Sequence, residues 1–179
     1  MMRPAKGLAG AEASAPPGVF RRLACFVYEG VLLFGVVMIA GYLYSSLTQQ
    51  RNAMEGRLGL MAFLFVILAI YFSWFWSRSG QTVAMKAWHL RLLTVQGQPV
   101  SQARAFARYV LSWLWFLPAL AMVHAAGLNS TAAIFGAMTA GVLAYAALAW
   151  LRADRQFWHD VVCGTRLVTW RPPPKAKSS

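Results

Sequence analysis

The sequence is short of acid. Its 179 residues hold five Asp plus Glu against 17 Lys plus Arg, a formal net charge of +12. Charged residues of either sign make up 12% of the chain, where a soluble domain carries about 25%, so most of the surface must face something other than water. There are two cysteines, Cys25 and Cys163, without CxxC spacing, which excludes a disulfide framework. His89, His124 and His159 are the three histidines. None has a second ligand at metal-binding spacing, and Cys163, four residues past His159, has no further cysteine beside it, so no metal site is expected. Paired carboxylates close in sequence are absent, as are the Walker A, GxSxG and HExxH patterns. The chain is therefore expected to be no enzyme and to need no cofactor. No cleavable signal peptide is expected either, because the first apolar run is too long for an h-region.

What is abundant is apolar length. Hydrophobic residues reach 59%, gathered in runs from about Leu23 to Leu47, Leu58 to Trp76, Tyr109 to Gly127 (broken by Pro118) and Thr131 to Leu151. A helix needs about 20 apolar residues to cross a hydrocarbon core of about 30 Å, and each run meets that within a few residues. The fold class expected is an all-α membrane protein, a four-helix transmembrane bundle; three spans plus one interfacial helix is the alternative. The lipid bilayer is its first partner.

Orientation follows from the Lys and Arg placement. Putting both termini in the cytoplasm leaves 15 basic residues inside and two, Arg51 and Arg57, outside. The expected location is a bacterial cytoplasmic (inner) membrane, crossed several times. Because the basic residues flank apolar runs and form no patch on a soluble unit, nucleic acid is not expected as a partner. Trp74, Trp76, Trp113, Trp115 and Trp150 fall near span ends, as interfacial anchors do. In span four Ala133, Ala137 and Gly141 repeat at four, as do Gly136, Ala140 and Ala144. Such small-residue stripes let helices approach closely, within the bundle or against a second copy.

Between and around the spans, residues 1–18 are Ala-, Gly- and Pro-rich and expected to be a disordered cytoplasmic N-terminus. Residues 19–170 form one transmembrane domain, and the polar, Pro-containing tail 171–179 is again expected to be disordered. After span two, Gln81 to Trp88 fits a short amphipathic helix on the membrane face. Leu90 to Val95 and Thr165 to Trp170 are β-prone runs bounded by turn residues. They are expected to pair as a small cytoplasmic two-strand element, which must lean on the helices because an isolated pair of strands is marginal in water.

Polar side chains are rare enough to be singled out. Arg22, Cys25 and Glu29 are spaced three and four apart, so they share one helix face. Glu29 lies inside the first span, where a charge costs roughly 2.5–3.5 kcal/mol on insertion scales and so has a partner or a job. It either locks the bundle through an ion pair or hydrogen bond, or binds a proton or cation. After span four come Asp154, Arg155, Gln156, His159 and Asp160. If helical, Gln156 aligns with Asp160 and Arg155 with His159, forming a cytoplasmic cap. His89 and His124 stand alone and read as interfacial side chains. Asn129-Ser130-Thr131 matches a glycosylation sequon too common to use.

Three segments in order resemble the RDD family of prokaryotic membrane proteins, named for one arginine and two aspartates. In RRLACFVYE, Arg22 takes the place of the family arginine and Glu29 stands where the family has aspartate, one methylene longer. GQTVAMK…LRLLTVQGQPVS carries Gly80, Gln81, Thr82, Lys86, Arg91, Gly97 and Pro99 in register. DRQFWHDVVCGTRLV carries Asp154, Arg155, Gln156, His159, Asp160, Gly164 and Thr165, with Asp160 as the last aspartate. The resemblance implies transport of ions or other solutes. It makes Arg22 and Glu29 the intramembrane polar cluster, Arg155, Gln156, His159 and Asp160 the cap, and Gly80, Gln81, Thr82 and Lys86 the loop motif. Four spans are few for a transporter, so a homo-oligomer fits. The alternative is a membrane-embedded scaffold or accessory subunit that docks a partner through the loop and the C-terminal segment.

Overall fold

A computed structural model describes residues 17–49, 56–128, 130–151 and 156–171. Expectations that fall on residues 1–16, Asn129, Asp154, Arg155 and residues 172–179 lie outside these described residues. Four helices are long and apolar enough to cross a membrane, joined to one two-stranded antiparallel sheet.

Helix α1 (Val19–Thr48) is 30 residues long, about 45 Å at 1.5 Å per residue, which exceeds the hydrocarbon thickness. Helix α2 (Arg57–Arg78) returns. Gly80 then turns the chain sharply at φ +70°. A Cβ there would sit 2.7 Å from the Leu92 carbonyl oxygen, so only glycine fits. The short helix α3 (Val83–Ala87) is capped by Thr82, whose hydroxyl accepts from the Met85 N–H, and strand β1 (Leu90–Thr94) follows.

The third span starts earlier than its apolar run suggests. Helix α4 (Gln102–Ser112) is capped by Ser101 and is amphipathic, burying Ala105, Arg108 and Tyr109. A 3₁₀ turn over Trp113–Trp115 follows. Pro118 does not end the span. It lies in the first turn of α5 (Leu117–Ala125), where its missing N–H costs no hydrogen bond. Helix α6 (Thr131–Leu148) returns and tightens into a 3₁₀ turn over Ala149–Leu151. A second short helix, α7 (Trp158–Val162), leads to β2 (Thr165–Thr169). Only one of the two small-residue stripes on α6 is used inside the chain. A Cβ on Gly141 would lie 2.8 Å from the Ala119 Cβ, so α5 and α6 pack closely there, while Gly136 meets nothing.

The strands pair with Leu92 opposite Leu167 at their centre. Around that pair the molecule repeats itself. Each half is a long helical span, a returning helix, a glutamine, a short helix, a residue with positive φ and a strand. Gln81 and Gln156, α3 and α7, His89 and Gly164, and β1 and β2 all lie 75 residues apart, as 156 is from 81. Within each half the short helix packs on the first span, α3 on α1 and α7 on α4. Both halves start and finish at the ribbon end of the bundle, so they are parallel repeats related by an axis along the spans.

Candidate functional site

Glu29 is buried and fully engaged. Its Oε1 accepts from the Tyr71 hydroxyl of α2 at 2.8 Å. Its Oε2 accepts from the Thr82 hydroxyl, which is itself the cap of α3. The carboxylate thus ties α1, α2 and α3 together. Of the two locks expected, ion pair or hydrogen bond, Glu29 makes the second, with neutral hydroxyls. The guanidinium of Arg22 lies over the Phe157 ring at 5.3 Å. Arg21, beside Arg22 at the mouth of the first span, braces the other end of α3. Its Nε donates to the Trp88 carbonyl at 2.8 Å, and its Nη2 also reaches that carbonyl.

The second lock belongs to the other half. Asp160 is completely buried, and its Oδ1 accepts from Arg108 Nε of α4 at 2.7 Å. Arg108 also stacks over Trp76 at 4.2 Å. The Thr165 hydroxyl reaches the Asp160 carbonyl at 3.1 Å and Oδ1 at 3.3 Å. Burial alone would raise the Asp160 carboxyl, but the Arg108 and His159 side chains hold it below its ordinary range. The Tyr145 hydroxyl lies 3.0 Å from His159 Nδ1 and also accepts the His159 backbone N–H at 3.1 Å. The other ring nitrogen, Nε2, lies 3.7 Å from Asp160 Oδ2. Burial among the Trp115, Tyr145 and Phe157 rings pushes the His159 imidazole down to about 4, so it is neutral at pH 7.

That shift has a signed consequence. An unfolded histidine takes its proton near pH 6.5, whereas the folded one does so near 4. Between these values the unfolded state binds more protons, so stability falls as pH drops through the window, by about 3 kcal/mol once it is crossed. Asp160 adds its own loss only below that window, as pH falls through its depressed value. Unfolding in mixed micelles, followed by tryptophan fluorescence at pH 7.5 and 5.0, is expected to show the decline in the wild type and a flatter profile in His159→Gln.

The glutamines of the two repeats do matching work. Gln81 Nε2 donates to the Leu90 carbonyl at 2.6 Å. Gln156 accepts from Leu167 N–H at 3.2 Å and donates to the Leu167 carbonyl at 3.3 Å, acting as a short extra strand beside β2. Gln156 was expected to align with Asp160 on one helix; α7 starts only at Trp158, and the glutamine stands ahead of it. Gly80, Gln81 and Thr82 therefore converge on the ribbon and Glu29, while Lys86 is exposed and stands apart. His89 and His124 are also exposed. Among the described residues no three His, Cys, Asp or Glu side chains gather as metal ligands.

Between the halves lies a cavity of about 310 Å³, at the lower end of the range for small-molecule sites. Arg22, Arg108 and His159 line its ribbon end, Glu29 and Ser112 its middle, and Leu33, Leu68 and Phe116 its deep end. Aromatic rings make up much of the wall, with Phe26 stacked on Trp115 at 5.1 Å.

To the expected Glu29, Thr82, His159 and Asp160 the structure thus adds Tyr71, Arg108 and Tyr145. Of these, Arg108 alone left a trace in the sequence, since an acid as isolated as Asp160 calls for a cation somewhere. The chain matches the RDD family over residues 16–164, most of its length, and it belongs to that family. No curated protein and no solved structure matches it.

Proposed function

We propose that this member of the RDD family moves a solute across a bacterial inner membrane, with its ribbon end and both termini in the cytoplasm. The orientation rests on the bias of basic residues toward the ribbon end. The cavity between two parallel repeats carries the transport reading, because transporters built from repeats hold their substrate at the repeat interface. Glu29, on the cavity wall and tied to both α2 and α3, is the group through which a cation or proton couples to movement. Displacing its hydroxyl partners would release α3 from α1 and loosen the seal at the cytoplasmic end. The test is sodium–proton exchange in proteoliposomes loaded with a pH-sensitive dye. Wild type is expected to dissipate an imposed sodium gradient, and Glu29→Gln to do so at least tenfold more slowly. Equal rates in the two would remove Glu29 from the mechanism, and a silent wild type would remove sodium.

One observation favours a scaffold as the second reading. Among the described residues, the buried charged groups run from the ribbon end to Glu29 at the middle of the cavity and none lies deeper, and α1 beyond Glu29 carries no charge. A bundle capped in this way suits a partner that docks on the ribbon. Detergent pull-down in stoichiometric yield with one membrane protein, together with absent ion exchange, would select it.

A further inference from the structure

We propose that the cavity between the repeats receives the acyl chain of an amphiphile entering sideways from the lipid, with its hydrogen-bond-accepting head at the Arg108 end. This goes beyond transport and holds whether or not anything crosses the membrane.

Three observations carry it. The first is the mouth. Helix α1 packs on α2 and α3, and α5 packs on α6, while α1 meets the third span through the Phe26 ring against Trp115 and Phe116. Phe26 and Gly30 are exposed members of the cavity lining, so the space opens between two spans, toward acyl chains and not toward water. The second is polarity along the depth. From Arg22 to Leu33 the α1 wall runs about 16 Å inward, and from Trp76 to Leu68 the α2 wall runs alongside it. Charged groups hold one end, and leucines and phenylalanines hold the other. That gradient matches one tail with one head. The third is the chemistry of the polar end. Guanidinium groups only donate. Arg108 spends its Nε on Asp160, and the guanidinium, lining the cavity, keeps its terminal N–H groups for an acceptor such as a carboxylate, phosphate or ester oxygen. Lipid tails are as apolar as the cavity wall, so the chain gains little by entering and the head sets the preference.

The experiment uses the full chain in lipid vesicles with two photoprobes that carry the same diazirine-bearing chain, one a free palmitic acid and the other a phosphatidylglycerol. Peptide mapping is expected to find adducts on the segment holding Leu68 and Phe72 and on that holding Trp113. Labelling by the acid alone assigns the site to a free single-chain amphiphile; labelling by both assigns it to a chain of a bilayer lipid. Either supports the proposal. A Cβ at Gly30 meets nothing within 4 Å, so Gly30→Leu fills the mouth without disturbing the fold, and Leu33→Trp fills the deep end as a second variant. Both are expected to cut the wall adducts at least fivefold and to leave labelling of the lipid-facing Phe34, Ile39 and Phe135 unchanged. Adducts confined to those outward residues, or wall adducts that survive both variants, would overturn the site. A hexadecanol probe labelling the wall as strongly as the acid would overturn the role given to Arg108.

Discussion

Asp160→Ala is expected to cost about 3–5 kcal/mol of stability, the usual cost of removing one partner from a buried ion pair. The cost arises because Arg108 stays behind as a buried cation. Its Nε loses a 2.7 Å charge-assisted bond, and the Thr165 hydroxyl loses one of its two acceptors. For a chain of this length the change corresponds to a drop in Tm of about 10 °C. Asp160→Asn is expected to fall in between, since it keeps the shape and an acceptor oxygen but not the charge. The informative variant is the double replacement Arg108→Met with Asp160→Leu. Swapping a buried pair for apolar groups of similar volume is often neutral or stabilising, so the double variant should recover most of the loss. Thermal unfolding of wild type, Arg108→Met, Asp160→Leu and the double variant in one detergent closes the cycle and gives the coupling. Additive losses would mean that the two side chains do not act as a pair.

Glu29→Leu is expected to cost about 2–4 kcal/mol, because it strips the acceptor from two hydroxyls at once and each buried unsatisfied group costs about 1–3 kcal/mol. Thr82 is wholly buried and must still cap α3, so its proton is left without an acceptor. The effect should be local. Amides of α3 and β1 are expected to exchange faster by tenfold or more, while those of α6 are unchanged. Glu29→Gln keeps an acceptor oxygen and is expected to retain most of the stability, which separates a role in folding from a role in ion exchange. Uniform exchange across all spans in Glu29→Leu would show that the clamp does not hold α3 in particular.

The two variants differ because the two halves solve one problem with different chemistry. In each, a short helix after the second span must be held against the first. The N-terminal half uses a carboxylate on the span and a hydroxyl on the short helix. The C-terminal half uses a guanidinium on the span and a carboxylate on the short helix. The repeat is faint in the sequence for that reason. Gln81 with Gln156, and RLLT with RLVT, are the visible matches, whereas the locking residues share neither type nor position.

The four spans, the bias of basic residues and the two short strands could be read directly, since each depends on local composition. Apolar length selects lipid over water, and β-branched or leucine-rich runs bounded by glycine select a strand. The start of the third span was not legible from its apolar run, because α4 opens with an amphipathic turn whose buried face is set by α2 and α7. Glu29 and Asp160 stood out as acids with few companions, so the sequence by itself determined that each needs an answer. Which residue answers was decided only by the tertiary structure. Tyr71 is 42 residues from Glu29 and Arg108 is 52 from Asp160, and separations of that size carry no periodicity. A buried charge must be met by whatever donor the packing brings within about 3 Å, and that is a property of how helices cross, not of how residues follow one another.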